Sequence, residues 1–158
     1  MSPLLTRLLA VLGLLAVLGA VDASILGKER VIRGGETVYL ELAPVDPRSL
    51  MQGDYMALRF RLADDIQAWR VDEERQRLRT APLRVDDRGV AALGADGEGP
   101  VIAFRIRNGR VWLGTNAYFF EEGTAERYGA ARYGEFRVDP ASGEAVLVGL
   151  ADAELERL

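Results

Sequence analysis

The chain has no cysteine and no histidine, and Lys28 is its only lysine. Without cysteine there is no disulfide, no thiol nucleophile and no thiolate metal site, though that absence suits any compartment. Without histidine the side chain most often used as a general base near neutral pH is missing. Lys28 precedes Ser49 and no lysine follows it, so a serine–lysine dyad would lack its proton acceptor. Arginine carries nearly all the positive charge, interspersed with acids to a net charge of -4. No basic stripe with interleaved aromatics is present, which argues against nucleic acid as a partner. Internal repeats and low-complexity tracts are absent too. Acidic pairs such as Asp64-Asp65 and Asp86-Asp87 are adjacent, so their carboxylates point apart, and none has the spacing of a calcium loop. Neither a metal nor a cofactor is expected.

What the chain does have is an apolar beginning. Residues 8–21 are all apolar or glycine, flanked by Arg7 and Asp22. A spanning helix needs about 20 apolar residues, whereas signal-peptide cores are shorter. If Arg7 snorkels to the interface, residues 4–26 can serve as the helix, with Asp22 near its far end. The segment 1–27 therefore reads as an N-terminal membrane anchor. The alternative is a signal peptide cleaved after Ala23, with Ser24 beginning the mature chain. Lys28, Arg30 and Arg33 follow the segment, so the count of flanking positive charge does not by itself favour export. The short basic tail before an apolar core still resembles an export signal, which places the remainder outside the cytoplasm.

Residues 28–158 form one domain by length. Residues 37–42 alternate, with Val38, Leu40 and Leu42 on one side, as in a half-buried strand. Residues 55–62 alternate again, with Met56, Leu58, Phe60 and Leu62 on one face. Two such consecutive strands suggest antiparallel neighbours. The charged stretch 64–78 reads either as a short amphipathic helix or as an exposed insertion. Asp86-Asp87-Arg88-Gly89 signals a hairpin, and Asn108-Gly109 signals another on a two-residue turn. The second register sets Arg107 opposite Arg110, Ile106 opposite Val111 and Arg105 opposite Trp112, with arginine beside tryptophan on one face. Thr124 is suited to cap a helix running to about Tyr133 and ending at Gly134. Strands at 136–138 and 145–150 flank a turn, and the tail from Ala151 is charged and weakly helical. The fold class is α+β: a mainly antiparallel β-sheet domain of about seven or eight strands with one or two short helices, preceded by one N-terminal transmembrane helix.

The segment Gly53-Asp54-Tyr55-Met56-Ala57-Leu58-Arg59-Phe60 resembles the signature after which the GDYXXLXY family of bacterial membrane-anchored proteins is named. Phe60 stands where the signature ends in tyrosine. Residues 44–50, 118–123 and 130–138 resemble that family as well. The resemblance implies a single N-terminal membrane segment and a small extracytoplasmic domain. It implies no enzyme activity, since none is established for the family. Its members are often encoded beside polytopic membrane proteins, which implies a membrane partner.

The candidate binding residues are Asp46, Arg48, Gly53, Asp54 and Tyr55, together with Glu121, Tyr128, Arg132 and Tyr133. Local structure explains several of them equally well. Asp46 can cap one helical turn that starts at Pro47 and leaves at Gly53. Asp54 can hold a strand entrance, and the tyrosines can pack on a sheet. The expected protein is a non-catalytic envelope protein of the bacterial inner membrane. Its soluble domain would face the periplasm or the cell exterior and bind or assist a polytopic membrane protein. The alternative is an extracytoplasmic hydrolase using carboxylate and tyrosine side chains.

Overall fold

The computed structural model describes residues 3–43, 51–52, 55–97 and 99–158. Helix α1 (Pro3–Gly34) is the apolar segment itself and continues unbroken past residue 27. At 1.5 Å per residue it is about 48 Å long, more than the roughly 30 Å of bilayer hydrocarbon. From Arg7 to Gly34 it is long and apolar enough to cross a membrane, and among the described residues nothing else packs against its most apolar stretch.

A curled, mostly antiparallel sheet follows. Strand β1 (Glu36–Glu41) buries Val38 and Leu40, as its alternation requires. Next in the chain come β2 (Met51–Gln52), β3 (Tyr55–Ala57), helix α2 (Arg61–Trp69) and helix α3 (Glu73–Arg77). They are followed by β4 (Thr80–Val85), β5 (Val90–Leu93), β6 (Val101–Ala103), β7 (Arg105–Arg107) and β8 (Arg110–Trp112). The remainder is β9 (Ala117–Phe119), helix α4 (Ala125–Tyr128), β10 (Tyr133–Val138) and β11 (Ala145–Ala151). Six strands pair in the order β11-β10-β1-β5-β4-β6. Every pair is antiparallel except β1 with β5. The sheet bends round until the Ala103 N–H at one edge donates to the Gly143 carbonyl, 2.7 Å away, in the turn between β10 and β11. Leu40, Leu83, Ile102, Phe136 and Leu150 fill the inside, and α2 closes it with Leu62 and Ile66. Phe60 meets Phe136 edge-on, with ring centroids 5.2 Å apart.

Several expectations change here. β1 and β3 do not pair: β1 lies between β10 and β5, and β3 lies between β2 and β9 in a separate three-stranded sheet, but the two segments do meet antiparallel at a bridge of Leu42 with Phe60. The second strand ends at Ala57, yet Met56, Leu58, Phe60 and Leu62 are all buried, because the chain keeps the same face inward as it turns into α2. The helix expected from Thr124 to Tyr133 stops at Tyr128. Thr124 does not cap it, since its hydroxyl donates back to the Glu121 carbonyl at 2.6 Å. Gly134 is no helix terminator. It sits inside β10, paired with Leu40 and Leu150, where a Cβ would come within 2.8 Å of the Phe60 ring. Strand pairing and the close approach of that ring override the local helical signal. The tail from Ala151 forms turns, held by Asp152 accepting from the Glu154 and Glu156 N–H groups.

Both hairpin readings hold. In the first, Asp86 accepts from the Arg88 and Val90 N–H groups. The second has the expected register, with Asn108 and Gly109 at φ 49° and 75°, the pair of positive angles a type I′ turn requires. The cation over Trp112 is Arg107, 4.5 Å from the ring centroid, rather than the directly opposed Arg105.

The end of α1 is joined to the sheet without a linker. Val31 is buried, and Gly35 donates to its carbonyl at 2.8 Å. Arg137 on β10 donates from Nε to the Ile32 carbonyl at 3.0 Å and from a terminal nitrogen to Thr37 Oγ1. A cation thereby satisfies one of the carbonyls that a helix leaves without an internal partner, at the end where the helix dipole favours positive charge. Lys28 donates to the Glu144 carboxylate.

The turn that carries Glu144 is itself held by Asp139, whose carboxylate accepts from the hydroxyl and the N–H of Ser142. Chiefly that hydroxyl bond, then the N–H bond, hold the Asp139 carboxyl below its ordinary value. Its contribution to the turn is present above the unfolded carboxyl value and is lost as pH falls through the lower folded one. The Ser142 amide signal, followed by NMR, is expected to titrate with a midpoint below about 3.9, the usual aspartate value. Asp139→Asn is expected to abolish that titration.

Candidate functional site

Of the residues singled out in the sequence, Asp46, Arg48, Gly53 and Asp54 lie outside the described residues. Tyr55 begins β3 and is half-buried, directly opposite Phe119 of β9. Their rings lie 5.8 Å apart at 40°. One position further along each strand, Met56 is opposite Tyr118. Successive strand residues face opposite sides, so Tyr118 and Phe120 point away from Phe119. Tyr128 joins them there: its ring meets Tyr118 edge-on at 5.2 Å and stacks on Phe120 at 5.1 Å. Burial, and then the hydrogen bond to Tyr128, push the Tyr118 phenol above its ordinary value, which makes it a poorer proton donor.

The small sheet therefore separates two groups. Tyr55 and Phe119 occupy one face, with Phe119 76% exposed. Tyr118, Phe120 and the buried Tyr128 occupy the other. Arg132 is not one helical turn from Tyr128, because α4 has already ended. Its side chain is exposed and donates to the Ala131 carbonyl at 2.9 Å, while its N–H donates to Ala151. Tyr133 opens β10 between Glu41 and Ala151. Glu121 is exposed, and its carbonyl receives the Thr124 hydroxyl. The described members of the set thus lie on β3, after β9, at the end of α4 and at the beginning of β10.

Sequence reasoning gave little weight to a second region. A groove of about 560 Å³ separates α2 from the β7–β8 hairpin. Arg59 and Asp64 pair across 3.0 Å at its edge, and Gln67 accepts from the Val111 N–H at 3.1 Å, fixing hairpin to helix. Arg105, Arg107 and Arg110 are exposed on that hairpin, and none of them takes part in an ion pair among the described residues. The sequence signal was available: three arginines and a tryptophan around an Asn-Gly turn. Among the described residues, no group of three or more acidic side chains is placed to hold a metal ion.

These features define a class of protein: a small curled-sheet domain carried, without a linker, on one long apolar helix. The chain belongs to the GDYXXLXY protein family, whose model matches residues 17–150. That match covers the second half of α1 as well as nearly all of the sheet, so helix and sheet are parts of one family unit. No curated protein and no solved structure matches the chain.

Proposed function

We propose that α1 anchors this protein in the bacterial inner membrane, that the sheet domain faces the periplasm or the cell exterior, and that the protein is a non-catalytic accessory to a polytopic membrane protein. The observation that carries this reading is the bare helix. Among the described residues, nothing in its own chain packs against the apolar length of α1. Gly13, Ala16, Ala20, Ala23 and Gly27 recur along it at intervals of three and four, and so share one side. A Cβ added at Gly13 or Gly27 would meet no atom within 4 Å. Small residues aligned in this way let two helix backbones approach closely in lipid, where packing rather than water exclusion drives association. The rigid joint at Gly35 then sets the sheet beside whatever the helix packs on.

A photoreactive amino acid at Ala20 of the full chain, activated in whole cells, is expected to cross-link a discrete multi-span membrane protein identified by mass spectrometry. The same group at Leu18, on the opposite side of α1, should give a far weaker product. Equal labelling from both positions, or no multi-span product, would count against a helix-packed partner.

A further inference from the structure

A cavity of about 780 Å³ lies where the sheet overhangs α1. Ser24 and Lys28 of α1 line one side of it, and Arg79, Arg105, Arg107 and Trp112 line the other. Glu144, the partner of Lys28, is the sole carboxylate among the described residues of its wall. Four cations thus face one anion. Arg79 turns one guanidinium nitrogen onto the carbonyls of Gln76, Arg77 and Leu78, which fixes its side chain. Arg107 lies over Trp112, and Arg105 forms no ion pair among the described residues.

Position gives this charge its meaning. Counting about 20 residues of spanning helix from Leu8 ends the hydrocarbon near Gly27. Ser24 and Lys28 then straddle the level at which acyl chains give way to headgroups. A second cavity, about 370 Å³, shares Lys28, Gly114 and Ala145 with the first and is walled by Phe119, Tyr118 and Leu147. A basic chamber with tryptophan at its rim therefore abuts an apolar slot with an exposed phenylalanine. Tryptophan and tyrosine favour the interface, and arginine and lysine near the surface attract anionic lipid.

We infer that the chamber formed by Lys28, Arg79, Arg105 and Arg107 binds the phosphate of a phospholipid headgroup, with the lipid's apolar part against α1 and the Phe119 slot. This inference rests on α1 being a membrane helix. It assigns the β7–β8 hairpin a lipid contact independent of any protein partner.

The test uses the full chain in neutral-detergent micelles, with bound lipid counted by native mass spectrometry. Three probes are titrated: phosphatidylglycerol, a diacylglycerol with the same chains, and inorganic phosphate. Phosphatidylglycerol is expected to bind saturably, and the other two much more weakly. At about fivefold per surface cation, R105Q/R107Q should weaken phosphatidylglycerol binding about 25-fold. R105K/R107K should keep most of the binding, and R84Q, on an exposed arginine of β4, should leave it unchanged. Diacylglycerol binding as well as phosphatidylglycerol would overturn the phosphate contact, and inorganic phosphate binding as well would overturn the lipid source. Wild-type affinity in a folded R105Q/R107Q, or equal loss in R105K/R107K, would overturn the arginine site. Retention of the wild type on membranes after alkaline carbonate washing is measured in parallel. A chain released by carbonate overturns the membrane helix and this site together. A retained chain that ignores phosphatidylglycerol overturns the site alone.

Discussion

Phe136→Ala is expected to destabilise the sheet domain by about 3–5 kcal/mol, the usual cost of deleting a fully buried phenylalanine. Phe136 has no exposed surface and is the largest of the fully buried side chains. It stands in β10 between the partner residues Val38 and Leu147, and its edge-on contact with Phe60 is lost with it. Collapse around the gap is restricted, because Gly134 and the Phe60 ring are already packed closely together. Domains are stable by only about 5–15 kcal/mol, so this one change removes a large share of the total. A near-ultraviolet circular dichroism melt of the full chain in neutral detergent should shift down by roughly 10–20 °C. Phe119→Ala provides the comparison. It removes a phenylalanine that is 76% exposed and should move the same melt by little. Similar melts for the two variants would show that the core does not lie where β10 places it.

Gly35→Val is expected to disconnect helix from sheet while leaving each folded. A Cβ at residue 35 would lie 2.6 Å from the Val31 carbonyl oxygen and 2.9 Å from that of Val138. Both are backbone atoms, one on α1 and one on β10, so neither yields by a change of rotamer. Relief requires the helix end to move off the strand, breaking the Gly35 to Val31 bond and exposing Val31. Overpacking of this kind costs about 1–3 kcal/mol, concentrated here at a single joint. The adjacent Gly34 is the control, since a Cβ there would meet nothing within 4 Å. Because the chain lacks cysteine, a pair introduced at Leu14 and Asp87 can be spin-labelled cleanly. Pulsed-EPR distances between the labels should be narrowly distributed in the parent and in Gly34→Val, and broad in Gly35→Val. An equally narrow distribution in Gly35→Val would mean that the joint is not the fixed point described.

Local chemistry made some of this architecture readable in the sequence. Asn108-Gly109 dictates its own turn, and the register of β7 and β8 follows from it. Val38 and Leu40, and then Met56, Leu58, Phe60 and Leu62, declare the inward face by alternation, even where the strand itself ends early. Long-range pairing was not readable. β1 finds β10 almost a hundred residues later and β5 in parallel, and nothing in its own six residues distinguishes those partners from β3. Residues 124–133 depart from their local signal for the same reason. Their helical signal is genuine as far as Tyr128, but Gly134 belongs to a sheet whose other strands lie far away in sequence. The candidate site fared similarly. Tyr55 was marked by its motif, whereas its neighbour Phe119 and the separation of Tyr128 onto the other face emerge only once β3 and β9 pair. Lys28 drew notice as the lone lysine, and only the folded turn at Glu144 shows what it holds.

The absence of slack between α1 and β1 has a mechanical consequence. A tethered module on a flexible stalk can swivel, and its heading is independent of the stalk. Here azimuth and height are both inherited from the rod. One residue added to α1 below Lys28 would swing the whole headpiece by about 100° and lift it by about 1.5 Å, and seven would nearly restore its original bearing. Any neighbour that grips the rod and rolls it therefore steers the sheet above, like a key turned in a lock.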